Sequence, residues 1–68
     1  MKIKVKISRT NGEKEIHLEK GSTVLDVLNK FKIKPDTVVV LNNKIPIPID
    51  DILKDKQEIT VIQVFSGG

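Results

Sequence analysis

Sixty-eight residues with a formal net charge of +3, no cysteine, tryptophan or tyrosine and one histidine leave room for a single small domain. Without cysteine there is no disulfide, thiolate metal site or catalytic thiol, and His17 alone has no partners with which to hold zinc. A chain this short buries a modest share of its surface and cannot wall off a deep catalytic cleft. The lack of cysteine fits a reducing compartment. The apolar stretches fall far short of the roughly 20 residues that span a bilayer, and Met1-Lys2-Ile3-Lys4 alternates too strictly for a signal peptide. A soluble, cytoplasmic monomer is expected. Its 12 basic residues are interleaved with 9 acidic ones, and only Phe31 and Phe65 offer aromatic faces, so direct binding of nucleic acid is not expected.

Residues 2–8 alternate, with Ile3, Val5 and Ile7 on one side and Lys2, Lys4, Lys6 and Ser8 on the other, the pattern of a half-buried strand. Asn11-Gly12 is a strong hairpin signal, because both positions of a tight turn favour positive φ. Taken as a two-residue loop, it sets Ile7 against Ile16 and Val5 against Leu18. On the other face it sets Lys6 against His17, Lys4 against Glu19 and Ser8 against Glu15. His17 is then an outward strand residue rather than a catalytic one.

Gly21-Ser22 breaks the second strand. Thr23 predicts a helix N-cap, and Asp26 three residues on completes a capping box. Val24, Val27, Leu28 and Phe31 then recur at helical spacing as one apolar stripe, a core face. Lys30, Lys32 and Lys34 suit the negative end of the helix dipole, and Pro35 closes the segment.

Thr37 to Leu41 reads as a short β-branched strand, with Asn42-Asn43 as a turn. In Ile45-Pro46-Ile47-Pro48-Ile49 the two prolines lack N–H groups on the same side of an extended chain, which suits only an edge strand. Residues 50–56 are polar turn material, with Leu53 as a core peg. The last strand, residues 58–65, is apolar on both faces, as a central strand is. With Ile59 and Val61 inward, Ile62 and Val64 look outward. The whole predicts a mixed sheet of four or five strands over one helix, in a domain of residues 1–65.

Ser66-Gly67-Gly68 follows as a flexible tail. Glycine packs poorly and loses the most freedom on ordering. Two terminal glycines make sense where the carboxylate itself works, because a chain end without Cβ atoms can thread a narrow channel in a partner. The alternative is a frayed end.

The β-β-α-β-β order ending in Gly-Gly resembles the ubiquitin-like β-grasp fold, an α+β class. More narrowly it is similar to the sulfur carriers of thiamine and molybdopterin synthesis and to the archaeal ubiquitin-like small modifiers. The resemblance lies in Ser22-Thr23-Val24-Leu25-Asp26-Val27-Leu28, Lys34-Pro35-Asp36-Thr37-Val38-Val39-Val40, Leu53-Lys54-Asp55-Lys56-Gln57-Glu58-Ile59 and the terminal Ser66-Gly67-Gly68. That family usually carries Asp-Gly-Asp where this chain has Asp55-Lys56-Gln57. Lys56 therefore either sits in a left-handed turn position or belongs to a turn of another type. The tail also lacks the Phe-Pro-Pro approach common among molybdopterin-type carriers, which brings the thiamine-like and archaeal branches closer.

The resemblance implies a protein that is not itself an enzyme and binds no cofactor. An E1-like adenylating enzyme would use ATP to activate the Gly68 carboxylate. A sulfur donor would then make a thiocarboxylate that delivers sulfur to a synthase or thiolase partner, for cofactor synthesis or tRNA thiolation. The alternative is conjugation of Gly68 to lysines of target proteins. A third reading is an interaction-only domain with an incidental tail. Ser66 and Gly67 would thread the partner's channel. Ile62, Val64, Phe65, Lys4 and Lys6 are the candidate partner-binding face. The lysines of β-strand residues 2–8 would either steer association or simply balance Glu19 and Glu15 across the hairpin.

Overall fold

The structure, a computed structural model, describes residues 1–8 and 12–64. Along them run β1 (Lys2–Ile7), β2 (Gly12–His17), α1 (Val24–Lys30), a short 3-10 turn (Pro35–Thr37), β3 (Val38–Asn42), β4 (Ile45–Ile47) and β5 (Glu58–Gln63). The five strands form one sheet in the order β2-β1-β5-β3-β4. Only β1 and β5 pair in parallel; the other neighbours are antiparallel. This is the β-grasp arrangement expected from the sequence. β5 is its central strand and the proline-bearing β4 lies at its edge, where Pro46 cannot interrupt an interior ladder.

The inward residues of the central strands meet the helix stripe. Ile3, Val5, Val24, Val27, Leu28, Val40, Leu53, Ile59 and Val61 make the buried core. Full burial of one such side chain stabilises by about 1.5–3 kcal/mol. The helix has only seven residues, too few to persist alone, so its start is heavily tied. Thr23 Oγ1 accepts from the Asp26 N–H at 3.4 Å, while Asp26 Oδ2 accepts from the Thr23 N–H at 2.8 Å, the full capping box. The orphan N–H groups of Val24 and Leu25 donate to the carbonyls of Asp51 and Ile49. Leu53 N–H donates in turn to the Ser22 carbonyl. The polar loop before β5 is thus the second cap of the helix, and Leu53 is the core peg predicted for it.

The hairpin differs from expectation. Ile16 faces Ile3, not Ile7, and Gly12 is already inside β2, paired with Ile7. Strand pairing therefore ends at Ile7 and Gly12, so Gly12 is not part of a two-residue loop, and Arg9, Thr10 and Asn11 lie outside the described residues. The predicted pairs Val5–Leu18, Lys6–His17, Lys4–Glu19 and Ser8–Glu15 all give way. Both registers satisfy the inside–outside alternation, because they differ by an even number of residues. The observed one lets Leu18 exchange hydrogen bonds with Met1 (2.8 and 2.6 Å), so that the whole of β1 is paired. It also brings Lys2 to 3.6 Å from Glu15 and Lys4 to 3.5 Å from Glu13.

Two smaller corrections, and one choice between the options left open at Lys56, share a cause: left-handed backbone at lysine is poorly marked in sequence. The helix ends at Lys30, well before Pro35, with Lys32 left-handed at φ 58°. The β3–β4 turn is Asn43-Lys44, both with positive φ (56° and 69°), one residue later than predicted. Lys56 adopts the left-handed option, φ 65°. A non-glycine residue held there costs about 1–2 kcal/mol. At Lys56 the local bonds offset it: Lys56 N–H donates to the Lys2 carbonyl at 2.7 Å, and Asp55 Oδ1 accepts from the Lys2 N–H at 2.8 Å.

That last bond stitches the turn before β5 to the start of β1. The Lys2 N–H holds the Asp55 carboxyl below the usual carboxylate range, helped by the N-terminal and Lys56 charges against a partial desolvation that pushes the other way. A depressed folded value contributes stability that is present above the unfolded value and is lost as pH falls through the folded one. An Asp55→Asn variant should therefore melt below the parent near neutral pH. The gap should close as the pH drops below about 4. Melting temperatures of both chains across the acid range check this, and a gap that persists unchanged at the lowest pH would remove charge from the explanation.

Candidate docking face and tail root

Antiparallel pairing of β3 with β5 decides which side chains share the face away from the helix. Val39 lies opposite Ile62, Leu41 opposite Thr60, and Pro46 of β4 opposite Leu41. Since Val40, Ile59 and Val61 are buried against the helix, strand alternation turns Val39, Leu41, Thr60, Ile62 and Pro46 outward. Val39, Leu41 and Ile62 shelter one another and are half-buried, while Pro46 is exposed. The ladder continues past the strand: Val64 N–H donates to the Thr37 carbonyl at 3.1 Å. Val64 is 61% exposed. An apolar strip thus runs across the outer face to Val64, the last described residue.

The other half of this face is charged. Parallel pairing sets Lys4 beside Glu58 and Lys6 beside Thr60. Lys2 and Lys4 are each tied to a glutamate of β2, at about half exposure. Lys6 is exposed and has no salt bridge among the described residues. It stands next to the apolar strip, opposite Glu13 in the hairpin register.

Of the residues singled out by sequence, Ile62, Val64, Lys4 and Lys6 therefore share one face. Phe65 and the threading and activated positions Ser66, Gly67 and Gly68 lie outside the described residues. Val39, Leu41 and Pro46 were not foreseen. Their outward orientation follows only from knowing that β3 is antiparallel to β5, because Val38 to Leu41 is an unbroken apolar run with no alternation to read. Among the described residues no cluster of His, Asp or Glu could hold a metal ion, and no helix is long and apolar enough to cross a membrane.

Known proteins carry the same architecture. The crystal structure of SAMP1 from Haloferax volcanii superposes with a TM-score of 0.76 at 14% identity, over all of both chains. The ubiquitin of Caldiarchaeum subterraneum gives 0.74 at 22% identity, covering all of this chain and 98% of that one. A putative molybdopterin converting factor subunit 1 from Pyrococcus furiosus gives 0.72 at 28% identity, covering 91% and 95%. In sequence, an uncharacterized protein of Archaeoglobus fulgidus is 38% identical across the full length of both chains. The family model of small archaeal modifier protein 2 matches residues 1–65. The chain belongs to the small archaeal modifier protein 2 family, with a ubiquitin-like β-grasp fold.

Proposed function

We propose that this protein works through its C-terminal carboxylate, as a ubiquitin-like sulfur carrier. The family match over residues 1–65 supports work through the chain end in either form, the likeness to a putative molybdopterin converting factor subunit supports the carrier form, and the apolar strip that runs along β5 to Val64 offers a docking surface for it. A carboxylate is a poor electrophile until one of its oxygens departs with a leaving group. In the proposed cycle the Gly68 carboxylate attacks the α-phosphorus of ATP on an E1-like enzyme, and pyrophosphate leaves. A hydrosulfide equivalent then attacks the carbonyl carbon and AMP leaves, giving the thiocarboxylate. Glycine at the end leaves that carbon unshielded. This chain contributes a handle and an address, while the partner supplies the catalytic groups.

Conjugation is the second reading, favoured by the family's description as a modifier protein. The activation step is the same, and the amine of a target lysine takes the place of sulfide. The likeness to a putative molybdopterin converting factor subunit supports the carrier reading instead. Intact mass of the protein isolated from its own cells separates them. The carrier should show a form heavier by about 16 Da, oxygen replaced by sulfur. Ladders of conjugates with an unmodified free form would favour the modifier.

The outer face is the proposed docking surface, since an outward apolar strip on a small domain marks an interaction site. Ile62→Asp should weaken binding to the activating enzyme about tenfold or more, with a small loss in melting temperature because Ile62 is half-buried. Lys6→Glu should instead slow association at low salt and lose that effect as salt rises, since exposed charges act over roughly 8–10 Å. Surface plasmon resonance with the enzyme measures both. Unchanged affinity for Ile62→Asp would move the docking site elsewhere.

A further inference from the structure

The helix ends in a complete Schellman motif that carries the wrong residue. Ile33 N–H donates to the Leu28 carbonyl at 2.9 Å and Lys32 N–H to the Asn29 carbonyl at 3.1 Å, the paired bonds that define this ending. The position between them is left-handed and ordinarily glycine, yet here it is Lys32, φ 58°. Glycine would be the more stable choice. Among the described residues the Lys32 side chain makes no hydrogen bond or salt bridge. Lys44 is left-handed in the same way, so the groove beside Lys32, rather than the strain alone, marks the position out.

Lys32 lies on the rim of a groove of about 480 Å³ on the helix side of the sheet, the face opposite the outer strip. The groove opens where β1 and β5 finish side by side. Half-buried Ile7, Phe31, Ile33 and Val38 form its apolar floor. Lys32 and Lys34, both exposed, are the charges on its rim, and among the described residues no acidic one lines it; Asp36, on the same connection, stays outside. The size is that of pockets that accept one bulky group. An apolar floor under two cations with no salt bridge among the described residues complements one kind of partner surface.

We propose that this groove binds an acidic segment of a partner protein, seating one large apolar side chain on the floor while flanking Asp or Glu residues face Lys32 and Lys34. The inference is independent of the outer-face reading, since the two surfaces lie on opposite sides of the sheet. It makes the protein two-sided, able to hold a second partner while its outer face is engaged.

The test uses the full 68-residue chain, labelled with ¹⁵N, and three synthetic peptides. One has a central phenylalanine between pairs of acidic residues, the second has lysines in place of the acids, and the third has alanine in place of phenylalanine. The first should shift the amide signals of Ile33, Val38 and Gln63, with a Kd of roughly 0.1–1 mM. The other two should bind at least about fivefold more weakly. Lys32→Gly should raise the melting temperature by roughly 4 °C and weaken the first peptide by a few-fold; Lys34→Glu should weaken it further. Opposite movement of stability and binding in one variant is something a merely structural lysine would not produce. No shifts at millimolar peptide, equal binding of the lysine-flanked peptide, or shifts centred on Val39 and Ile62 would each overturn the proposal. So would groove signals that depend on protein concentration alone, which would mean a second copy. Peptide binding seen only after Phe65→Ala would assign the groove to this chain's own end and overturn it too.

Discussion

The parallel pairing of β1 with β5 is the constraint on which the rest depends. It joins the first strand of the chain to the last and makes the last strand the centre of the sheet. A parallel pair cannot be closed by a tight turn, so the chain between must cross over the sheet. α1 and the strands that follow are that crossing. Once β5 is central, its inward residues Ile59 and Val61 must be apolar to meet the helix. Its outward residues are flanked on both sides, so they too can be apolar without forming an open edge. The last strand's two apolar faces are thus a consequence of its place. The same place brings Val64, the last described residue, out of the middle of the sheet beside the outward strip.

The short helix shows how few interactions suffice when they are well aimed. Seven residues give little intrinsic helicity. The first turn is held by a reciprocal capping box and by two carbonyls from the loop before β5, and the last turn by the Schellman pair. Both ends are thereby tied to neighbours that belong to the sheet's connections. The helix is less an independent element than a bracket that fixes where the loop and β3 begin. Asp55 plays the corresponding part at the other end of that loop, fastening it to Lys2.

Much of this was legible in the sequence, and the limits have physical reasons. Thr23 with Asp26, the stripe of Val24, Val27 and Leu28, and the proline-marked edge strand each carry a local cause that can be read residue by residue. The hairpin register does not, because alternation repeats every two residues and cannot distinguish Ile3 from Ile7 as the partner of Ile16. The observed register is the one in which Met1 meets Leu18 at the far end from the turn and Lys2 and Lys4 meet Glu15 and Glu13. The faces of β3 were likewise hidden in the run Val38-Val39-Val40-Leu41, and were set only by pairing with β5. As a result Ile62 and Val64 could be named from sequence, whereas Val39, Leu41 and Pro46 beside them could not. The left-handed lysines at 32 and 44 were least visible, since sequence marks such positions chiefly by glycine or asparagine, whereas Lys56 was flagged because it stands where the family usually has glycine.

If the fold exists to present a chain end, then blocking that end must disable the protein while sparing everything else described above. The most direct measurement is ATP–pyrophosphate exchange by the E1-like enzyme from the same cells, using this chain with one alanine appended after Gly68. Thermal melting of the same sample shows that the domain is intact. The account predicts an unchanged melting temperature and exchange reduced to background. Exchange at the parent rate on the extended chain would contradict it, and would leave a β-grasp interaction domain whose terminal glycines do no chemistry.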